Sequence, residues 1–224
     1  MPSVFLLRRT PFALQQARKA LFDEAPAWDC VGCCERMHEG LLQIEALRPD
    51  VVVSDLRLLD GHLATLLQRL EGAPPRLLAL SSVADDSLLF EALCAGAQGY
   101  WLDRSGARGL GQALQDCYQG RAAMLPALAR QVLARFGLAR SELQLAHCVG
   151  SAHDLTPAAP GCPLSKAEQH LLSLIAQGLL DHEIAQRWQL GAEEVGRRLA
   201  GVYTALQRQH RTGPGLRPPA VPCR

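Results

Sequence analysis

Three groups of side chains in this 224-residue chain have types and spacing that could do chemistry. Cys30-Val-Gly-Cys33-Cys34 with His38 has the spacing of zinc and redox sites, and His147, Cys148, His153 and Cys162 could supply further ligands. Charged residues close several short apolar runs: Arg8 and Arg9 follow the first, Asp55 the third and Asp103 the fifth. Nearer the C-terminus, Glu193, Glu194, Arg197 and Arg198 crowd one short stretch. Arginine forks read guanine edges and glutamate accepts from cytosine, so that stretch has donors and acceptors suited to a DNA groove. No constellation points to an enzyme, and no catalytic residue is assigned.

The elements that must position these groups follow from apolar periodicity. Strands are predicted at Val4–Leu7, Trp28–Cys33, Val51–Ser54, Leu77–Leu80 and Gly99–Leu102. Amphipathic helices are predicted at Pro11–Phe22, His38–Leu47, His62–Leu70, Ser87–Ala95 and Leu110–Tyr118. Thr10 before Pro11 is a helix entry, and Asp85-Asp86 suit the positive end of the fourth helix. Five strand–helix units predict a parallel sheet wrapped by helices, with ligands expected at the carboxyl ends of its strands. Met124–Phe136 reads as a connecting helix, followed by a stretch ending Thr156-Pro-Ala-Ala-Pro160 of linker composition. Leu164–Leu206 is helical in three bursts broken near Gly178 and Gly191, and the proline-rich tail from Thr212 reads as disordered. The expected division is 1–122, an α/β domain; 123–160, a linker with its helix; 161–211, a helical domain; and 212–224, the tail.

Composition narrows the classes. The chain is 48% hydrophobic and 20% charged with net charge +1, so DNA binding must come from a local patch and not from bulk basicity. No apolar run approaches the roughly 18–20 residues of a membrane span. Arg8-Arg9 begins like a twin-arginine signal, but Gln15-Gln16-Ala-Arg18-Lys19 replaces the apolar segment such a signal needs, so a cytoplasmic protein without a membrane partner is expected. Eight cysteines then read as reduced thiols. On a regular strand the two sulfurs of Cys30-x-x-Cys33 point to opposite faces, so neither a metal nor a cofactor is expected there.

Pro49-Asp-Val-Val-Val-Ser-Asp55-Leu-Arg57 resembles the third strand of response-regulator receivers, which ends in the phospho-accepting aspartate. Leu80-Ser81 resembles the end of their fourth strand. Ala95-Gly-Ala-Gln-Gly-Tyr100-Trp-Leu-Asp103 is similar to their fifth-strand signature, Ala-Gly-Ala-x-Gly-Tyr-Leu-Leu-Lys. The resemblance implies a flavodoxin-like (βα)5 receiver with a vestigial phospho-acceptor at Asp55 and a pocket altered at Arg8, Arg9, Ser81, Tyr100 and Asp103. A working receiver holds Mg²⁺ with acids after its first strand and pairs the phosphoryl group with a lysine after its fifth. Here Arg8 and Arg9 stand for the acids and Asp103 for the lysine, and the loop after Asp55 is short and lacks its proline. Arg104 lies one residue beyond Asp103, and a one-residue shift along a strand reverses side-chain direction. Charge decides the case: about −2 in the family pocket becomes about zero, with two guanidiniums to repel a divalent cation. The expectation is a salt-bridge cluster of arginine forks on Asp55 and Asp103, acting without aspartyl phosphorylation.

Leu164-Ser-Lys-Ala-Glu168-Gln-His-Leu-Leu172 with Ile175-Ala-Gln-Gly178 resembles the opening of LuxR-type DNA-binding domains. His182-Glu183-Ile-Ala-Gln-Arg187-Trp-Gln-Leu190 resembles their scaffold helix. Ala192–Gln207 falls at the recognition helix and its successor, so the resemblance implies an all-α, four-helix helix-turn-helix domain of the NarL/FixJ kind. Ser165 and Glu168 have capping-box spacing. The family's Thr-Val-Lys-x-His is replaced by Glu194, Val195, Gly196, Arg197 and Arg198, which places Glu194, Val195, Arg197 and Arg198 as the candidate DNA-binding residues. Residues 162–211 carry six cations against five acids, a weak balance for phosphate, and Gly196 and Gly201 each cost about 1 kcal/mol of helix propensity. The expected function is a DNA-binding transcriptional regulator, dimeric like regulators that read two half-sites. Its input would be protein level, a protein partner or a ligand at the receiver. The competing expectation is an interaction module that acts on another regulator without touching DNA.

Overall fold

The computed structural model describes residues 1–70, 74–81, 87–102, 109–138 and 163–212. The first part alternates β1 (Ser3–Leu7), α1 (Pro11–Glu24), β2 (Asp29–Cys34), α2 (Met37–Leu47), β3 (Val51–Asp55), a two-residue hairpin of β4 (Arg57–Leu58) and β5 (Gly61–His62), and α3 (Leu63–Arg69). It continues with β6 (Arg76–Ser81), α4 (Ser87–Ala95), β7 (Gly99–Leu102) and α5 (Leu110–Tyr118). The five long strands pair in parallel in the order β2-β1-β3-β6-β7. The central strands β1, β3 and β6 carry near-continuous apolar runs because both sheet faces are covered. Val4, Leu6, Val51, Val53, Leu78 and Leu80 pack with α1 and α5, while Phe5, Leu7, Val52, Leu77 and Ala79 pack with α2, α3 and α4.

Local chemistry fixes the helix ends. The Thr10 hydroxyl accepts the Ala13 N–H at 3.2 Å ahead of Pro11. At the far end of α1, Glu24 accepts the Gly111 N–H at 3.1 Å and so caps α5; a Cβ on Gly111 would lie 2.8 Å from the Glu24 carbonyl oxygen. The hairpin after β3 is tied down by Asp60, whose carboxylate accepts the backbone N–H groups of Met37 and His38 at the start of α2.

The second part contains α6 (Pro126–Arg135), α7 (Lys166–Ala176), α8 (Asp181–Trp188) and α9 (Ala192–Thr212). Ser165 and Glu168 form the expected capping box on α7. The Arg130 guanidinium of α6 donates to the Ala176 carbonyl at 2.7 Å and closes the other end of α7. Residues 161–211, expected to hold four helices, contain three described ones, α7 to α9, and the fourth helix packed with them is α6 from the expected linker. The recognition helix and its successor, expected as two, run as one 21-residue helix of roughly 30 Å. Val195, Leu199, Val202 and Leu206, all fully buried on one stripe, offset the helix cost of Gly196 and Gly201. One cluster of buried side chains runs from the α2–α4 face of the sheet into α6–α9. No described helix is long and apolar enough to cross a membrane. The predicted strands and helices match to within a few residues. Residues 139–160 of the expected linker (123–160) and 213–224 of the expected tail (212–224) lie outside the described residues, while Thr212, expected to open the tail, ends α9.

Candidate functional site

Arg8, Arg9 and Asp55 meet at the carboxyl edge of the sheet because β1 and β3 are adjacent and in register, Leu7 beside Ser54. Arg8 is buried, and its Nε lies 2.9 Å from Asp55 Oδ1. The second carboxylate oxygen, Oδ2, accepts the backbone N–H of Arg9 at 2.7 Å. Both oxygens of Asp55 are thus engaged from the first strand's end, and a phosphoryl group or hard cation would have to displace Arg8. The expectation of two arginine forks needs correction: Arg9 contributes its backbone, and its side chain is exposed. Successive residues leaving a strand diverge, so only one guanidinium turns inward. Asp103 and Arg104 lie outside the described residues. Ser81 is buried at the end of β6, and half-buried Tyr100 on β7 packs against the core shared with α9.

The candidate DNA-binding residues divide sharply. Val195 is fully buried in the helical core, so it does not face a groove; this corrects the sequence expectation. Arg198 keeps only 15% of its side chain exposed, lies 5.8 Å over the Trp188 ring and contacts Glu194 at 3.2 Å. The Trp188 ring also packs against His170, centroids 5.5 Å apart and planes tilted by 52°, so Arg198 closes an aromatic contact between α7, α8 and α9. Arg197 is 62% exposed and shares the Glu194 carboxylate at 3.2 Å. Of the four residues, Arg197 is the one cation presented outward.

A different face of α9 is docked on the first part of the chain, which the sequence gave no sign of. Arg121, just after α5, bridges Asp116 at 2.7 Å and Glu193 at 3.3 Å. The Ala122 N–H donates to the Gly196 carbonyl at 3.0 Å, and a Cβ on Gly196 would come 3.2 Å from Arg121 Cβ. The Tyr203 hydroxyl donates to the Ala123 carbonyl at 2.6 Å; burial, with Tyr100 and Asp181 nearby, pushes it well above its usual range. Gln207 donates to the Leu93 and Ala97 carbonyls at 3.1 and 3.0 Å, closing the C-terminal end of α4. Glu193, Gly196, Tyr203 and Gln207 recur at helical spacing, so this is one face.

Cys30 and Cys33 also depart from expectation. The β1–β2 ladder is regular except for a bulge between Cys30, paired with Val4, and Gly32, paired with Phe5. Cys33 pairs with Leu6. Val4 and Leu6 share the α1–α5 face, so both sulfurs lie on that face and not on opposite ones. The bulge depends on pairing with β1, which the local sequence does not report.

No family model matches the chain. It is 29% identical over 189 residues to the DNA-binding transcriptional activator DevR/DosR of Mycobacterium tuberculosis, covering 84% of this chain and 80% of the relative. It is 26% identical over 195 residues to the transcriptional regulatory protein LiaR of Bacillus subtilis, covering 86% and 85%. It is also 24% identical over 176 residues to the response regulator protein VraR of Staphylococcus aureus, covering 78% and 76%. In fold it is similar to the RcsB response regulator of Salmonella typhimurium, with a TM-score of 0.51 at 18% identity over 92% of this chain and 93% of that one. A receiver-like sheet followed by a helical region is the architecture of that neighbour.

Proposed function

We propose that the chain is a DNA-binding transcriptional regulator of response-regulator type that works without Mg²⁺-dependent aspartyl phosphorylation. The observation that carries this reading is the engagement of both Asp55 oxygens by Arg8 and the Arg9 N–H. A charge-assisted contact already occupies the position where a phosphoryl group would be transferred. Arg8 would also repel a divalent cation at contact range. DNA binding is supported by the helix-turn-helix order of α8 and α9, by the exposed Arg197, and by the names of the homologues. Division at 122, 160 and 211 into receiver, linker and helix-turn-helix domain belongs to the same proposal, as does assembly into a homodimer on paired half-sites. In the docked arrangement the Glu193 and Gly196 flank of α9 lies on residues 121 and 122. A duplex cannot occupy that flank at the same time, so DNA engagement requires α9 to leave the receiver.

The docked face also favours a second reading, an interaction module that holds or releases a protein partner without DNA. The two separate on Arg197→Glu, which removes the outward cation without touching the Trp188 stack. Under the first reading the variant loses retention on genomic promoter fragments in 100 mM salt while its circular dichroism is unchanged. Equal DNA binding by the variant, or none by the parent, would leave the second reading standing.

A further inference from the structure

The Cys30–Cys33 pair is the feature the proposed function leaves unused. Both thiols are free, half-buried and on the same face of β2, an edge strand of the sheet. Cys33 faces α1 across a groove of about 290 Å³ that Pro11, Leu14, Gln15, Arg18 and Glu35 also line. Burial pushes the Cys30 thiol up, charge on Cys33 pushes it further, and Arg18 pulls it down. Cys34 is excluded from the pair, because it pairs with Leu7, lies buried on the opposite face and donates to the Arg36 carbonyl at 3.4 Å.

We propose that Cys30 and Cys33 form a two-sulfur clamp for a soft, thiophilic ion of the Cu(I) class. Softness follows from the donors, since thiolates select Cu(I) over hard cations. Coordination number follows from what surrounds them. Among the described residues no group of three or more His, Cys, Asp and Glu side chains converges, so the four ligands of a zinc site are not supplied here. Cu(I) is satisfied by two. The bulge sets the two cysteines against Val4 and Leu6, two residues apart on β1, so their Cα atoms lie roughly 7 Å apart along the strand. An ion inserted between the sulfurs spans that gap. Binding is a ligand exchange without electron transfer: two S–H bonds break, two Cu–S bonds form, and two protons leave to solvent. The resulting complex carries one negative charge, which Arg18 faces.

The test is an anaerobic titration of the reduced full-length chain with Cu(I) against a chromogenic Cu(I) chelator. One equivalent should bind per chain, with two sulfur neighbours in its X-ray absorption spectrum. Cys30→Ser and Cys33→Ser should each weaken that equivalent at least tenfold, and Cys34→Ser should leave it unchanged. Arg18→Glu, an exposed change that keeps both sulfurs, should weaken it several-fold and covers the case in which a serine variant fails to fold. The proposal is overturned if the parent binds no Cu(I), if the Cys30→Ser/Cys33→Ser double variant retains the equivalent, or if Arg18→Glu has no effect.

Discussion

Replacing Gln207 by alanine should release α9 from the receiver. The Gln207 side-chain amide is buried and is the donor to two carbonyls, Leu93 and Ala97, at 3.1 and 3.0 Å. The Leu93 carbonyl lies in the last turn of α4, where a helix has no internal donors left to offer, and Ala97 lies just beyond it. In the variant both acceptors lose this donor while the surrounding core stays closed. Each such loss costs about 1–3 kcal/mol, so the docked state is weakened by at least about 2 kcal/mol. That shifts the docked-to-free ratio by roughly 30-fold. Gln207 is not part of the Val195–Leu206 stripe, so the helical bundle itself should stay folded. Small-angle scattering should report a larger radius of gyration for Gln207→Ala, and fluorescence anisotropy should report tighter DNA binding. An unchanged radius together with unchanged DNA affinity would refute the reasoning, because the two hydrogen bonds would then contribute nothing to holding the helix.

Other consequences follow from the same geometry. Arg8→Ala leaves the partly buried Asp55 carboxylate with the Arg9 N–H as its one partner among the described residues, and should lower unfolding free energy in urea by about 1–3 kcal/mol. Arg8→Ala in an Asp55→Asn background should cost markedly less, and equal losses in both backgrounds would contradict the pairing. Asp60 feels burial pushing its carboxyl up, but the His38 and Met37 N–H donors outweigh it and hold it below its usual value; the Ser3 backbone N–H does the same for Asp50. A depressed carboxylate contributes stability that is complete above its unfolded pKa, near 3.8, and is lost as pH falls through the lower folded value. Unfolding midpoints should therefore fall below about pH 4, and less steeply in Asp60→Asn. Ser165→Ala removes the capping box of α7 and should cost about 1 kcal/mol by thermal denaturation.

The parts of the fold legible in the sequence are those set by local pattern. Apolar runs placed all five strands of the sheet, Thr10-Pro11 placed the start of α1, and Ser165 with Glu168 placed the start of α7. What escaped was set by distant partners. The β2 bulge exists only against β1, so a parity argument that assumed a regular strand separated two sulfurs the fold brings to one face. The glycines of α9 suggested interruption, and buried stripes on that helix overrode their propensity. The ion pair of Arg8 with Asp55 followed from the charge exchange at strand ends, but the outward turn of Arg9 needed coordinates. Val195 and Arg198 were candidates by position in a motif, and packing assigned them to the core and to Trp188. Gln207, Tyr203 and Arg121 carry no local signature at all, because their partners lie in other elements and are distant in sequence.

The central claim joins DNA binding to a pocket closed by Arg8. It is tested most directly by measuring the affinity of the full-length chain for its promoter DNA with and without acetyl phosphate and Mg²⁺. The predicted result is a salt-dependent, sequence-selective affinity that is the same in both conditions and the same in Asp55→Asn. An affinity that changes with the phosphodonor in the parent, and not in Asp55→Asn, would contradict it.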